Sequence, residues 1–368
     1  MMIADVDAPS VLTAATVGAT YSYGLIWFFL LLTIPLFVIQ EASGRVGMAT
    51  GKGLGEAIRE NYSKRIAVLA SLPMASVSIV SYVAEYAGIA VGMELIGIPP
   101  IVSVPVAYAA YAAVVVRRRY LTTERALLLV SAVLIVAYAG SLFARGFVAS
   151  SPVYLSADRS YFFLLAACAG AVVMPFMLFY QASATAEKRT TRLWTMRTET
   201  LVGAIASEVG MVVIAMATSG LSSSLNFADP KTLSLALSSI AGSYAPYVFA
   251  VGLVAAAFLA LVVISLGSSW AVVDTMGWKK SSFLWVYLLE SLPAVVIPIL
   301  YPEPLSLVLG LMVLFVFVLI GPGVLTGLLG SNRRIMGVHT SNIYWKVAYW
   351  LSLAAVLSFG VVAVVAAV

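Results

Sequence analysis

A succession of apolar runs, most of them long enough to cross a bilayer, limits what this chain can fold into. A hydrocarbon core takes roughly 20 apolar residues per helix. Runs of this kind lie near 11–22, 23–48, 66–97, 99–116, 121–145, 158–184, 195–219, 246–272, 282–301, 304–328 and 343–367. The first is short, and a polar cluster of Asp5, Asp7 and Ser10 precedes or opens it. Lipid offers no partner to a backbone N–H or C=O, so such spans are helices. Composition agrees: 62% of residues are hydrophobic and 10% are charged, against roughly 25% charged in soluble domains. The chain is expected to be an all-α polytopic membrane protein, with eleven transmembrane helices in one compact domain and the lipid bilayer as its surroundings.

Basic residues orient the spans, because cytoplasmic loops carry an excess of Lys and Arg. With a cytoplasmic N-terminus, the inner loops hold Arg45, Lys52, Arg59, Lys64 and Arg65, then Arg117, Arg118, Arg119 and Arg125. They also hold Lys188, Arg189, Arg192, Arg197, Lys279, Lys280, Arg333 and Arg334, which makes 17 of the 21 basic residues. The outer loops hold Arg145, Arg159 and Lys231. The net charge of +5 therefore reflects topology, and no nucleic-acid partner is expected. A single cysteine, Cys168, leaves no disulfide framework, and a single histidine, His339, leaves any proton relay to carboxylates. No basic stretch precedes an apolar one at the start, so no cleavable signal peptide is expected. A short amphipathic stretch at 230–242 reads as a surface helix in a loop.

Two prolines sit where a membrane helix should be continuous. Pro175 lies in the middle of "AGAVVMPFMLFYQ" (169–181), and Pro9 lies in "DVDAPS" (5–10). Proline has no N–H, and its ring clashes with the carbonyl four residues back, here that of Ala171. Secondary transporters often consist of inverted repeats with Gly- or Pro-interrupted helices at matching places, and the substrate binds between them. The first and sixth spans stand five apart, which suits a five-plus-five repeat with an eleventh helix appended. Each interruption offers possible ligands: Asp7 a charged oxygen, Ser10 a hydroxyl, Met174 a thioether, Ala171 a freed carbonyl. Oxygens with one thioether suit a borderline transition metal better than Ca²⁺ or Mg²⁺. Plainer readings stand beside these: Asp7 as a helix N-cap and Met174 as packing.

With these residues in view, the chain resembles the NRAMP (SLC11) family of proton-coupled importers of divalent transition metals, which have the LeuT-type fold. The family signatures are Asp-Pro-Gly-Asn in helix 1 and Met-Pro-His in helix 6. "YSYGLIW" (21–27), "GRVGMATGKGLGEAIRENY" (44–62) and "SLPA" (291–294) carry the likeness further, the second of them most specifically. The resemblance implies that Asp7, Ser10, Met174 and the Ala171 carbonyl hold the metal. It places Glu85 on the proton pathway of helix 3. It implies Mn²⁺ or Fe²⁺ as substrate, no cofactor, and a multi-pass position in the cell membrane. It divides the chain into a first repeat at 1–157, a second at 158–330, and a loop with the last helix at 331–368.

Departures from the pattern bear on coupling. Asp7-Ala8-Pro9-Ser10 replaces Asp-Pro-Gly-Asn, and Phe176 replaces the histidine of Met-Pro-His. Gln181 stands at a second histidine position, and Tyr82 replaces an aspartate one turn before Glu85. Weak or absent proton coupling is the expectation. Glu208 and Glu290 lie at membrane depth, where ionisable groups are functional candidates; Glu208 is the stronger candidate for a substitute proton group. A Mg²⁺ or other hard-cation transporter of a related branch is one alternative. An organic-solute carrier of the same superfold, or a non-transporting relic, are others. Six residues before Asp7 span roughly 9 Å as helix, too short for an inner half-helix, so a start upstream of Met1 is expected.

Overall fold

A computed structural model describes residues 6–116, 146–189, 192–221, 243–300 and 305–367, with residue 238 and a few positions between 135 and 143. The fifth apolar run (121–145) and the 230–242 stretch fall almost wholly outside the described residues.

The helices follow the apolar runs closely. In chain order they begin with α1 (Ala8–Tyr21), α2 (Ile26–Thr50), the short α3 (Leu54–Asn61), α4 (Lys64–Leu95) and α5 (Pro100–Val116). The sixth run is split into α6 (Arg159–Val172) and α7 (Pro175–Glu187), followed by α8 (Leu193–Thr218) and α9 (Ala245–Met276). The ninth run, expected as one helix, is α10 (Phe283–Ser291), a 3₁₀ turn at Leu292–Val295 and α11 (Ile297–Leu300). Pro293 and Pro298 remove two backbone donors there, which explains the tightened turn. The tenth run is α12 (Leu305–Val318) and α13 (Ile320–Ser331); a short α14 (Arg333–Met336) leads to the last helix, α15 (Ile343–Ala367). Eight helical stretches among the described residues are long and apolar enough to cross a bilayer.

Local chemistry sets the ends. Asp7 caps α1 and Ser63 caps α4, each accepting from the backbone N–H three residues on, as N-cap side chains do. Gly51 ends α2 in the left-handed region, at φ 65°, where a Cβ would be strained. Polarity then runs opposite to that of a soluble protein. Leu69, Ile34 and Val365 are exposed, while Gln40, Glu41, Glu85 and Glu208 are buried. Exposed apolar faces of this extent suit lipid.

Small residues bring backbones together, the usual device where lipid removes the hydrophobic drive between helices. A Cβ on Gly170 would stand 1.7 Å from the Met312 carbonyl oxygen, and one on Gly47 would stand 2.1 Å from that of Ala182. These two contacts clamp α6 on α12 and α7 on α2. Both halves of the split helix are thereby fixed to their neighbours. The C-terminal half of α2 also carries a buried ionic knot. Glu41 pairs with Arg45 at 3.1 Å and with Arg197 of α8 at 2.8 Å. Arg45 reaches the His339 carbonyl and the Ser341 hydroxyl, and Arg197 lies over the Trp345 ring at 4.5 Å. Asp274, at the end of α9, is half-buried against Gly53 and Gly55.

Candidate functional site

Proline decides where the sixth span breaks. α6 stops at Val172 because Pro175 cannot donate to Ala171. Val173 and Met174 leave the helix, Met174 with φ −81° and ψ 133°. Pro175 then opens α7 at the position proline favours. Met174 is the N-cap of α7 and its side chain makes no capping bond.

The start of α1 faces this break. The Ser10 hydroxyl donates to the Ala171 carbonyl oxygen at 3.3 Å, across 161 residues of sequence. The carbonyl that Pro175 releases is therefore met by the residue singled out on the other helix. Asp7 is an N-cap, in keeping with the plainer reading: its Oδ1 accepts from the Ser10 N–H at 2.7 Å. A surface N-cap is solvated, whereas Asp7 is only 2% exposed. Glu85 of α4 stands beside it, accepting from the Ala8 N–H at 3.2 Å through Oε2, and the two carboxyl groups are close neighbours. Glu85 Oε1 has no hydrogen-bond partner among the described residues. Asp7, Ser10, Ala171, Met174 and Glu85 are all buried. Two carboxyl groups, a hydroxyl, a carbonyl and the thioether-bearing Met174 thus share the junction of α1, α4 and the α6–α7 break. The set offers acceptors without a cationic side chain, which is an environment for a cation.

The remaining singled-out residues are distributed around the junction. Phe176 packs edge-on against Phe315, with ring centroids 6.0 Å apart, so an apolar contact stands where the family has an imidazole. Gln181 lies five residues further along α7 and donates to Thr200 Oγ1 at 3.3 Å. Tyr82 is one turn from Glu85 but faces Glu290 and Ser268. Glu208 is buried on α8, where its carboxyl neighbours Cys168 of α6, one turn before Ala171. Sequence reasoning misses Gln40, which is fully buried with neither amide atom hydrogen-bonded among the described residues. It shares a helical face with Ser43, Gly44 and Gly47, the face packed on α7. A glutamine inside an apolar run is the available signal.

A bundle of membrane-length helices, one of them broken at mid-span opposite the polar start of another, is the architecture of the LeuT-type fold. The family model for natural resistance-associated macrophage protein-like (Nramp) proteins matches residues 1–366. The chain belongs to the Nramp family. It is 30% identical over 193 residues to the divalent metal cation transporter MntH of Bacillus subtilis (strain 168), covering 50% of this chain and 45% of that one. To MntH of Verminephrobacter eiseniae (strain EF01-2) it is 29% identical over 94 residues, 26% of this chain and 21% of the relative. These matches span less than half of the relatives' own lengths. Among solved structures, the Eremococcus coleocola manganese transporter superposes with a TM-score of 0.77 at 18% identity, over 98% of this chain and 83% of that one. MhsT in complex with L-phenylalanine superposes at 0.63 and 12% identity, over 98% of both chains. At such identities the superpositions speak for the fold.

Proposed function

We propose that this chain carries divalent transition-metal ions of the Mn²⁺/Fe²⁺ class across the plasma membrane by alternating access, with weak or absent proton coupling. The observation that carries the reading is the meeting of Ser10 with the Ala171 carbonyl, Asp7 and Met174 being the residues that flank it. Asp7 supplies the charge that draws a cation from water. Ser10 and Ala171 replace part of its hydration shell with oxygen. Met174 supplies a polarisable sulfur that favours Mn²⁺, Fe²⁺ or Cd²⁺ over Ca²⁺ and Mg²⁺. The Ser10–Ala171 hydrogen bond is the resting arrangement, and an arriving ion would take both oxygens. Membership of the Nramp family, with relatives named as divalent metal cation transporters, supports this substrate class. The protein is then a transporter rather than an enzyme, with its N-terminus cytoplasmic and its repeats at 1–157 and 158–330.

Weak coupling follows from the groups that are missing. Phe176 and Gln181 do not titrate, and Tyr82 replaces a carboxylate. Glu85 and Glu208 remain as the proton candidates. Phe176 also favours a second reading, a Mg²⁺ carrier of a related branch, against which Met174 stands.

Uptake into liposomes tests both parts. Purified protein is expected to admit Mn²⁺ and Cd²⁺ under a metal gradient, with little change in an internal pH dye. Proton influx that tracks metal influx would refute weak coupling and direct attention to Glu85 and Glu208. Solute uptake indifferent to metal would refute the substrate class.

A further inference from the structure

A second polar cluster is buried away from the α1–α6 junction, between α4, α9 and α10. Its centre is Glu290 of α10. Ser268 of α9 donates its hydroxyl proton to Glu290 Oε1. Glu290 Oε2 is buried and has no hydrogen-bond partner among the described residues, and neither has the hydroxyl of Tyr82. Tyr82 is fully buried on α4 and faces Glu290, Ser265 and Ser268. Ser265, one turn before Ser268, gives its proton to the Leu261 carbonyl at 2.8 Å. Both serine protons are therefore committed, and their oxygens present lone pairs only. No ion pair involving Glu290 occurs among the described residues.

The cluster holds a carboxylate with no cationic side chain paired to it among the described residues. Around Tyr82 stand a carboxylate oxygen and two serine oxygens; the hydroxyls of Tyr82, Tyr287 and Ser291, all without a partner among the described residues, can supply protons to the cluster but no positive charge. An unpaired charge inside a membrane protein is costly. A bound positive charge removes the imbalance. The donor set also selects that charge. One carboxylate neutralises one unit, so a divalent ion would leave an uncompensated charge in a medium of low dielectric. No histidine or cysteine takes part, and no group of three or more His, Cys, Asp or Glu side chains capable of holding a metal is found among the described residues. Oxygen alone suits a hard ion.

We infer that Glu290, Ser268, Ser265 and Tyr82 form a binding site for a hard monovalent cation, with Na⁺ the ion of matching charge and chemistry. The site is distinct from the proposed metal site and does not depend on which metal that site takes. Its Tyr82 is one helical turn of α4 from Glu85, which holds the start of α1 through the Ala8 N–H.

Thermal unfolding of the purified full chain tests this without any transport assay. The midpoint is followed as NaCl replaces choline chloride at constant ionic strength, with KCl as a second comparison. A ligand that binds only the folded state raises the midpoint in a saturable way. The expected result is a rise of several degrees with Na⁺, smaller with K⁺ and absent with choline. Glu290→Gln, which keeps the shape and removes the charge, is expected to abolish the rise. Ser268→Ala and Tyr82→Phe each remove one oxygen and are expected to weaken the apparent Na⁺ affinity by about tenfold. They cover the case in which Glu290→Gln does not fold. A wild-type midpoint indifferent to Na⁺ would overturn the proposal. So would a Na⁺ response unchanged in Glu290→Gln, or a midpoint that follows pH and ignores Na⁺, which would assign the carboxyl to a proton.

Discussion

Asp7→Asn is expected to abolish tight Mn²⁺ binding while leaving the protein folded. Asparagine caps a helix about as well as aspartate, so the bond to the Ser10 N–H, 2.7 Å in the wild type, has a replacement acceptor. The negative charge has none. The only other carboxylate described at the junction is Glu85, which is held by the Ala8 N–H. The loss should be a hundredfold or more in affinity, about 2.8 kcal/mol. Calorimetric titration with Mn²⁺, beside thermal unfolding of the same sample, separates the two roles of Asp7. An unchanged midpoint with lost binding is the expected pair of results. Retained binding would reduce Asp7 to a cap.

Glu41→Gln should be the most damaging substitution for stability. Glu41 is fully buried and serves two cations, Arg45 at 3.1 Å and Arg197 at 2.8 Å. Arg45 is itself 3% exposed, so it cannot turn to water when its partner is neutralised. Breaking a buried pair from one side costs about 3–5 kcal/mol, because a charge is left without compensation. Arg197 is 27% exposed and contributes less to that cost. The knot joins α2 to α8 and, through Arg45 and His339, to the segment before α15. A fall of several degrees in the unfolding midpoint is expected, and Glu41→Leu with Arg45→Met should recover part of it. A midpoint equal to wild type would mean that water or another group already compensates Arg45.

The parts of the fold legible in the sequence are those fixed by a single physical rule. Bilayer thickness places α2, α4, α8, α9 and α15 within a few residues of their apolar runs. Proline chemistry places the break: α6 stops at Val172 and α7 begins at Pro175. The same rule identifies Ala171 as the carbonyl set free, and the structure brings Ser10 to it. Rules of span length do not see interruptions inside an apolar run. The 3₁₀ turn at Leu292–Val295 and the division at Leu319 read as continuous helix for that reason. Relations between distant elements are less accessible still. Glu41 and Arg45 stand four apart, a spacing that suggests a pair, but nothing near them points to Arg197. Tyr82 stands out in the sequence as a missing carboxylate; its place beside Glu290 and Ser268 depends on how α4, α9 and α10 pack. Gln40 is visible as a glutamine in an apolar run, but only the packed structure shows that its amide is buried and unbonded among the described residues.

The central claim is that the broken sixth span holds a transition metal through a thioether. Calorimetric titration of Mn²⁺ and Mg²⁺ into the wild type and into Met174→Ala tests it most directly. Mn²⁺ affinity should fall by about tenfold in the variant, roughly 1.4 kcal/mol, while Mg²⁺ binding, weaker from the start, should not change. Mn²⁺ and Mg²⁺ bound equally well, with neither affected by the substitution, would contradict the claim and move the protein to the hard-cation reading.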